Sequence, residues 1–109
     1  MSYCLDCVIK HLADAKITQE EALLGYPSHI LDTLGNLSQA SLECQGASQE
    51  LADEIRQYRL LVMEDSKAEV PYYELYNKVK ALIKEKGCGD CKKASISFKE
   101  RLAKEKGTI

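Results

Sequence analysis

Four of the five cysteines form two Cys-x-x-Cys pairs near opposite ends of the 109-residue chain. Cys4 and Cys7 stand at the start, whereas Cys88 and Cys91 stand close to the end. The spacing of each pair lets two thiolates converge on one ion, and two pairs supply the four ligands of a tetrahedral site. The pattern therefore predicts one metal site made by all four of these cysteines, with zinc as the expected ion and iron as the alternative.

The residues next to the cysteines suit metal binding. Gly87 and Gly89 flank Cys88, and glycine permits the unusual backbone angles of a tight turn whose free amides can donate to thiolates. The first pair is expected at a helix N-terminus, where the helix dipole favours a thiolate. Lys92 and Lys93 would offset part of the negative charge of a zinc tetrathiolate.

Three further side chains could take part in chemistry. His11 follows Cys7 by four residues and could replace one cysteine as a ligand, although a half-buried, hydrogen-bonded histidine is the favoured interpretation. Cys44 lies in phase with Leu37 and is expected to be a small core residue, with a spare-ligand role as the alternative. His29 is expected at the far end from the cysteines, where it caps or packs.

The elements that position these residues are helices. Apolar periodicity, caps and breakers predict four helices, the first from about residue 4 or 6 to residue 24 and the others over about residues 27–45, 48–65 and 71–86, with a short fifth helix after Ser97. The first is expected to bury Leu5, Val8, Ile9, Leu12 and Leu23. Because short connections favour antiparallel neighbours, an all-α, up-and-down four-helix bundle would return the end of helix four to the start of helix one. That topology brings the two cysteine pairs together.

Composition and length indicate a single helical domain over residues 1–109. Residues 1–91 form the predicted metal-clasped bundle, and residues 92–109 form a basic C-terminal helix. Hydrophobic residues make up 45% and charged residues 29%, which is ordinary for a soluble globular protein. No apolar run reaches the roughly 18 residues of a membrane span, and no signal peptide is recognisable. A cytoplasmic location is therefore expected, where reduced thiols favour a metal over a disulfide.

Charge is distributed unevenly along the chain. Residues 1–76 contain 5 basic and 13 acidic residues, whereas residues 77–109 contain 10 basic and 4 acidic residues. This polarity indicates either that the basic third docks on the acidic remainder or that it meets an anionic partner. The favoured interpretation of the lysines is a solvated helix face, because acidic residues alternate with them.

The opening Cys4-x-x-Cys7-x-x-Lys10-His11-Leu12, followed by Gly25-Tyr26-Pro27-x-His29 and Gly35-x-Leu37-x-x-Ala40, resembles a group of uncharacterised small helical proteins of phages, bacteria and archaea. The similarity covers about the first 45 residues. That group often has a histidine after the second glycine, where this chain has Asn36. The resemblance implies a helical fold and no established activity.

The expected function is a non-enzymatic binding or adaptor protein with a structural zinc site and a protein partner. Four protein ligands leave no coordination position for a substrate or an activated water, which argues against zinc catalysis. Two alternatives stay open. One is a nucleic-acid-binding module that uses the basic C-terminal segment, and the other is a thiol-based redox or metal sensor.

Overall fold

The computed structural model describes residues 2–90, and this part of the chain contains four α-helices and no β-strand. The helices are α1 (Leu5–Leu23), α2 (His29–Cys44), α3 (Gln49–Glu64) and α4 (Tyr72–Lys86). The predicted all-helical fold is thus confirmed, with helix bounds within about two residues of those expected. The predicted fifth helix lies outside the described residues.

The helix ends follow local chemistry. Ser48 has an extended backbone and its Oγ accepts the amide of Leu51 at 3.1 Å, which confirms it as the N-cap of α3. Gly25 follows α1 with a φ of +126°, a conformation that side-chain-bearing residues rarely adopt. The start of α1 is capped by Cys4, whose Sγ accepts the amide of Cys7.

The core forms around α1, which packs against both α2 and α4, while α3 packs against α2. The largest fully buried side chains are Leu5, Leu37, Ile55 and Leu75, one from each helix. Burying a leucine or isoleucine stabilises a fold by about 1.5–3 kcal/mol, so these contacts account for how the four helices hold together. No helix among residues 2–90 has the length and apolar character needed to cross a bilayer.

The far end of α1 is fixed by a polar contact, and here one prediction is wrong. Gln19 is buried, its Nε2 donates to the carbonyls of Ser66 and Ala68 at 3.1 and 2.8 Å, and its Oε1 accepts the hydroxyl of Tyr72 at 2.7 Å. The start of α4 therefore lies beside the end of α1. Leu23 stands one turn beyond Gln19 and is 50% exposed instead of buried.

Candidate metal centre

The two ends of the described chain are joined by backbone hydrogen bonds. The amide of Leu5 donates to the carbonyl of Cys88 at 2.9 Å, and the amide of Asp90 donates to the carbonyl of Tyr3 at 2.7 Å. The hydroxyl of Tyr3 also donates to the carbonyl of Lys86 at 2.9 Å. We call this contact between residues 3–5 and 86–90 the terminal junction. It places the end of α4 beside the start of α1, as the cysteine pattern requires.

The terminal junction depends on glycine backbone angles. Gly87 and Gly89 have φ values of +78° and +79°, which agrees with the role expected for glycines beside Cys88. A Cβ at Gly89 would overlap the carbonyl oxygen of Tyr3 and come within 2.6 Å of its ring. A Cβ at Gly87 would meet no atom within 4 Å. The close approach of the two chain segments therefore requires glycine only at position 89.

Three potential metal ligands converge at the start of α1. The Sγ atoms of Cys4 and Cys7 lie 2.9 Å apart, and a carboxylate oxygen of Glu43 joins them in a group whose ligand atoms are all within 4.8 Å of one another. Cys4 is buried, whereas Cys7 and Glu43 are half-buried. The amide of Cys4 donates to the carbonyl of Glu43 at 3.1 Å, so the end of α2 is held at this site.

Cys88 reaches the same region through its backbone, but its side chain does not join this group. Its Sγ lies 3.5 Å from a carboxylate oxygen of Asp6, which the thiol contacts as a donor. Cys91 lies outside the described residues. The structure thus brings together Cys4, Cys7 and the main chain of Cys88, and the participation of Cys88 and Cys91 as ligands stays a prediction.

The charges around the thiols of Cys7 and Cys88 are mainly acidic. Burial raises the pKa of the Cys7 thiol, and the negative charge of Glu43 raises it further, while Lys10 acts in the opposite direction. Burial likewise raises the pKa of Cys88, together with its contact to Asp6. A bound cation reverses this balance, because a coordinated thiol is deprotonated and its negative charge is offset by the ion.

The residues present fit a thiolate-binding ion such as zinc. With zinc–sulfur bonds of about 2.3 Å, two ligands of a tetrahedral site lie about 3.8 Å apart. The sulfurs of Cys4 and Cys7 would therefore have to separate by less than about 1 Å to hold one ion. Cysteine thiolates and a carboxylate are donors that zinc accepts, and the amide of Cys7, 3.4 Å from the Sγ of Cys4, would stabilise its negative charge.

The two other candidates in this region have structural contacts. The Nδ1 of His11 lies 2.9 Å from the Oδ1 of Asn36, which matches the hydrogen-bonded histidine favoured from the sequence. Cys44 is fully buried in the core, and burial raises its pKa to about 11. Its Sγ contacts the carbonyl of Ser48 at 3.8 Å. Hydrogen bonding thus accounts for the position of His11, and core packing accounts for that of Cys44.

His29 lies at the corner between α1 and α2. Its Nδ1 is 3.4 Å from a carboxylate oxygen of Glu21, and its ring stacks on Tyr26 with 5.5 Å between the ring centroids. These contacts agree with the packing role expected for His29.

Glu43 was missed by the sequence analysis. A signal for it existed, because Cys44 was expected at the same end of the molecule as the cysteine pairs, and Glu43 is its neighbour. Carboxylates are zinc ligands as well as thiolates. A search restricted to Cys and His therefore could not find Glu43.

Comparison with known proteins gives no further guide to the site, since no family model, curated protein or solved structure matches the chain. The resemblance to small helical proteins of phages, bacteria and archaea accordingly stays a prediction.

Proposed function

We propose that this protein is a non-enzymatic binding or adaptor protein whose helical domain carries a structural zinc ion. The proposed ligands are Cys4, Cys7, Cys88 and Cys91, with Glu43 beside them as a carboxylate that could replace one thiolate. The observation that carries this proposal is the grouping of Cys4, Cys7 and Glu43 next to the terminal junction. Zinc supplies no redox chemistry, and with four protein ligands it acts as a cross-link.

The contacts between helix ends also support an arrangement for the four helices. We infer an up-and-down bundle, because the start of α1 meets the end of α4 at the terminal junction, while Gln19 and Tyr72 join the opposite ends of the same two helices. The bond from Cys4 to Glu43 likewise brings the start of α1 to the end of α2. In that order, residues from three helix ends surround the proposed ion.

A protein partner is supported by exposed apolar side chains at the corner between α1 and α2. Leu24, Tyr26 and Leu31 are 81%, 62% and 69% exposed. Large apolar side chains that cluster on a surface often mark an interaction site. The two alternatives, nucleic-acid binding through residues 92–109 and thiol-based sensing, stay predictions of the sequence.

The metal site can be tested by elemental analysis and cobalt substitution of the full-length protein purified without added metal. We expect one tightly held zinc ion per chain and a cobalt spectrum with intense thiolate charge-transfer bands. Cys7→Ser and Cys88→Ser should each weaken the metal affinity and reduce those bands. Cys44→Ala, which removes a thiol from the core, is the matched control and should leave the spectrum unchanged.

Two results would count against the proposed ligand set. A Cys88→Ser spectrum identical to that of the wild type would remove Cys88 from it. If Cys88→Ser left the affinity and the bands unchanged while Glu43→Gln lowered the affinity, the ion would instead be held by Cys4, Cys7 and Glu43. Protein that retains no metal under any of these conditions would overturn the structural-zinc proposal.

A further inference from the structure

An open groove runs between α3 and α4, the two helices that follow one another without packing closely. It holds about 660 Å³. On the α3 side it extends from Ser48 to Leu61, and on the α4 side from Lys78 to Glu85. Thirteen helical residues span about 20 Å, so the groove is long enough for a short helix.

The floor of the groove is apolar. Tyr58 and Leu82 are half-buried, and Leu61 is 49% exposed. One ion pair crosses it, in which the Nζ of Lys78 lies 2.7 Å and 2.9 Å from the two carboxylate oxygens of Glu54. An occupant with an apolar stripe would bury these side chains, and each buried CH₂ group would stabilise the contact by about 0.8 kcal/mol.

The rim of the groove is acidic. Among the described residues 2–90, the charged groups that line it are Glu50, Asp53, Glu54 and Glu85 and one cation, Lys78. Three of the four carboxylates are on exposed residues, so they face solvent and can meet a ligand. A basic occupant would therefore be attracted by charge, whereas an acidic one would be repelled.

The chain itself supplies a segment of matching charge and length at the right place. Nineteen residues follow Asp90, and residues 92–109 contain six basic and two acidic residues. The terminal junction holds Asp90 four residues past Lys86, the last residue of α4, and Glu85, which lines the groove, is the neighbour of Lys86. The Nζ of Lys86 also donates to the carbonyl of Ala47 at 2.7 Å, which joins the end of α4 to the residues just before α3.

We propose that residues 97–106 dock in the groove between α3 and α4 of the same chain as a short amphipathic helix. Phe98 and Leu102 stand four residues apart and would lie on one face of that helix, against the apolar floor. Ten helical residues span about 15 Å, which fits within the groove. Lys99, Arg101 and Lys104 would then lie near the acidic rim.

Such docking would explain why acidic residues dominate the first 76 positions of the chain and basic residues dominate the rest. The basic residues would be held by the protein's own carboxylates, so an anionic partner such as a nucleic acid would have to displace the segment first. The groove is lined by α3 and α4, which contribute none of the proposed zinc ligands. Docking of the segment could therefore be disproved even if the cobalt spectrum shows thiolate ligands, so the two proposals fail separately.

Phe98 is the single phenylalanine of the chain, so its ring protons can be labelled without ambiguity. In the full-length, metal-loaded protein, nuclear Overhauser contacts from the Phe98 ring to labelled leucine methyl groups should reach Leu61 or Leu82. Contacts that appear only between differently labelled chains would show that a second copy occupies the groove. Absence of contacts to α3 and α4, or contacts to Leu24 and Leu31 instead, would overturn the proposal.

Charge reversal gives an independent test in the same full-length protein. Glu50→Lys with Asp53→Lys should weaken or abolish the Phe98 contacts, and adding Arg101→Glu with Lys104→Glu should restore them. Asp32→Lys, an exposed acidic residue of α2 outside the groove, is the matched control and should leave the contacts unchanged. Equal contacts in the wild type and in the Glu50→Lys/Asp53→Lys variant would remove charge attraction as the reason for docking.

Discussion

Replacing Gly89 by alanine should break the terminal junction. A side-chain-bearing residue forced to a positive φ costs about 1–3 kcal/mol. At Gly89 the new Cβ would also overlap the carbonyl and ring of Tyr3, so the two segments must separate. That separation would lengthen or break the bonds from Asp90 to Tyr3 and from Leu5 to Cys88, each with a typical net value of about 0.5–1.5 kcal/mol. We expect a total destabilisation of about 2–6 kcal/mol.

Gly87→Ala is the matched control, because Gly87 has almost the same φ and open space around it. Gly87→Ala should lower the free energy of unfolding only by the cost of a positive φ at a residue with a side chain, about 1–3 kcal/mol. Urea denaturation of both variants, with and without a chelator, measures the difference, and metal content should fall in Gly89→Ala more than in Gly87→Ala. Equal destabilisation and equal metal content in the two variants would refute the claim that close packing at Gly89 forms the junction.

Three further predictions concern buried groups. Cys44 should resist alkylation at pH 8 in the folded protein. Burial raises its pKa from 9.0 to about 11, which corresponds to about 3 kcal/mol of the free energy of unfolding. This stabilisation is present below pH 9 and is lost as the pH rises through 11. Alkaline urea titrations should therefore show a steeper loss of stability in the wild type than in Cys44→Ala. Ser41→Ala should lower the free energy of unfolding by about 0.5–1.5 kcal/mol in thermal unfolding, because it removes the hydrogen bond that the Ser41 hydroxyl donates to the carbonyl of Ala52 at 2.8 Å. Gln19→Leu should destabilise more than Tyr72→Phe in the same assay, since Gln19 satisfies two loop carbonyls as well as the tyrosine.

Within residues 2–90, the number of helices and their bounds could be predicted from the sequence because their signals are local. Ser48 with its capped amide and the glycines after α1 and α4 act within a few residues of their own position. The juxtaposition of the first cysteine pair with the end of α4 could also be predicted, since short connections leave few ways to arrange consecutive helices. These inferences needed only spacing and chain length.

What sequence reasoning missed depends on long-range geometry. Leu23 is exposed although it continues the apolar periodicity of α1, because burial depends on which parts of the chain cover the helix, and periodicity within α1 does not contain that information. Glu43 lies beside Cys4 and Cys7 because the amide of Cys4 donates to the Glu43 carbonyl, a contact between residues that are 39 positions apart. The direction of the Cys88 side chain toward Asp6 is a choice of rotamer, which spacing alone does not determine.

The terminal junction also changes how a metal would stabilise the protein. Its backbone hydrogen bonds and the core already hold the start of α1 beside the end of α4, so binding an ion need not close a loop of about 80 residues at that moment. An ion that binds only the folded chain stabilises it by mass action, about 4.1 kcal/mol at a free concentration 1,000 times its dissociation constant. If the proposed ion binds, the junction would therefore act on stability twice. It contributes its own hydrogen bonds, and by bringing the Cys88 backbone to Cys4 in advance it would raise the affinity of the proposed site for the ion.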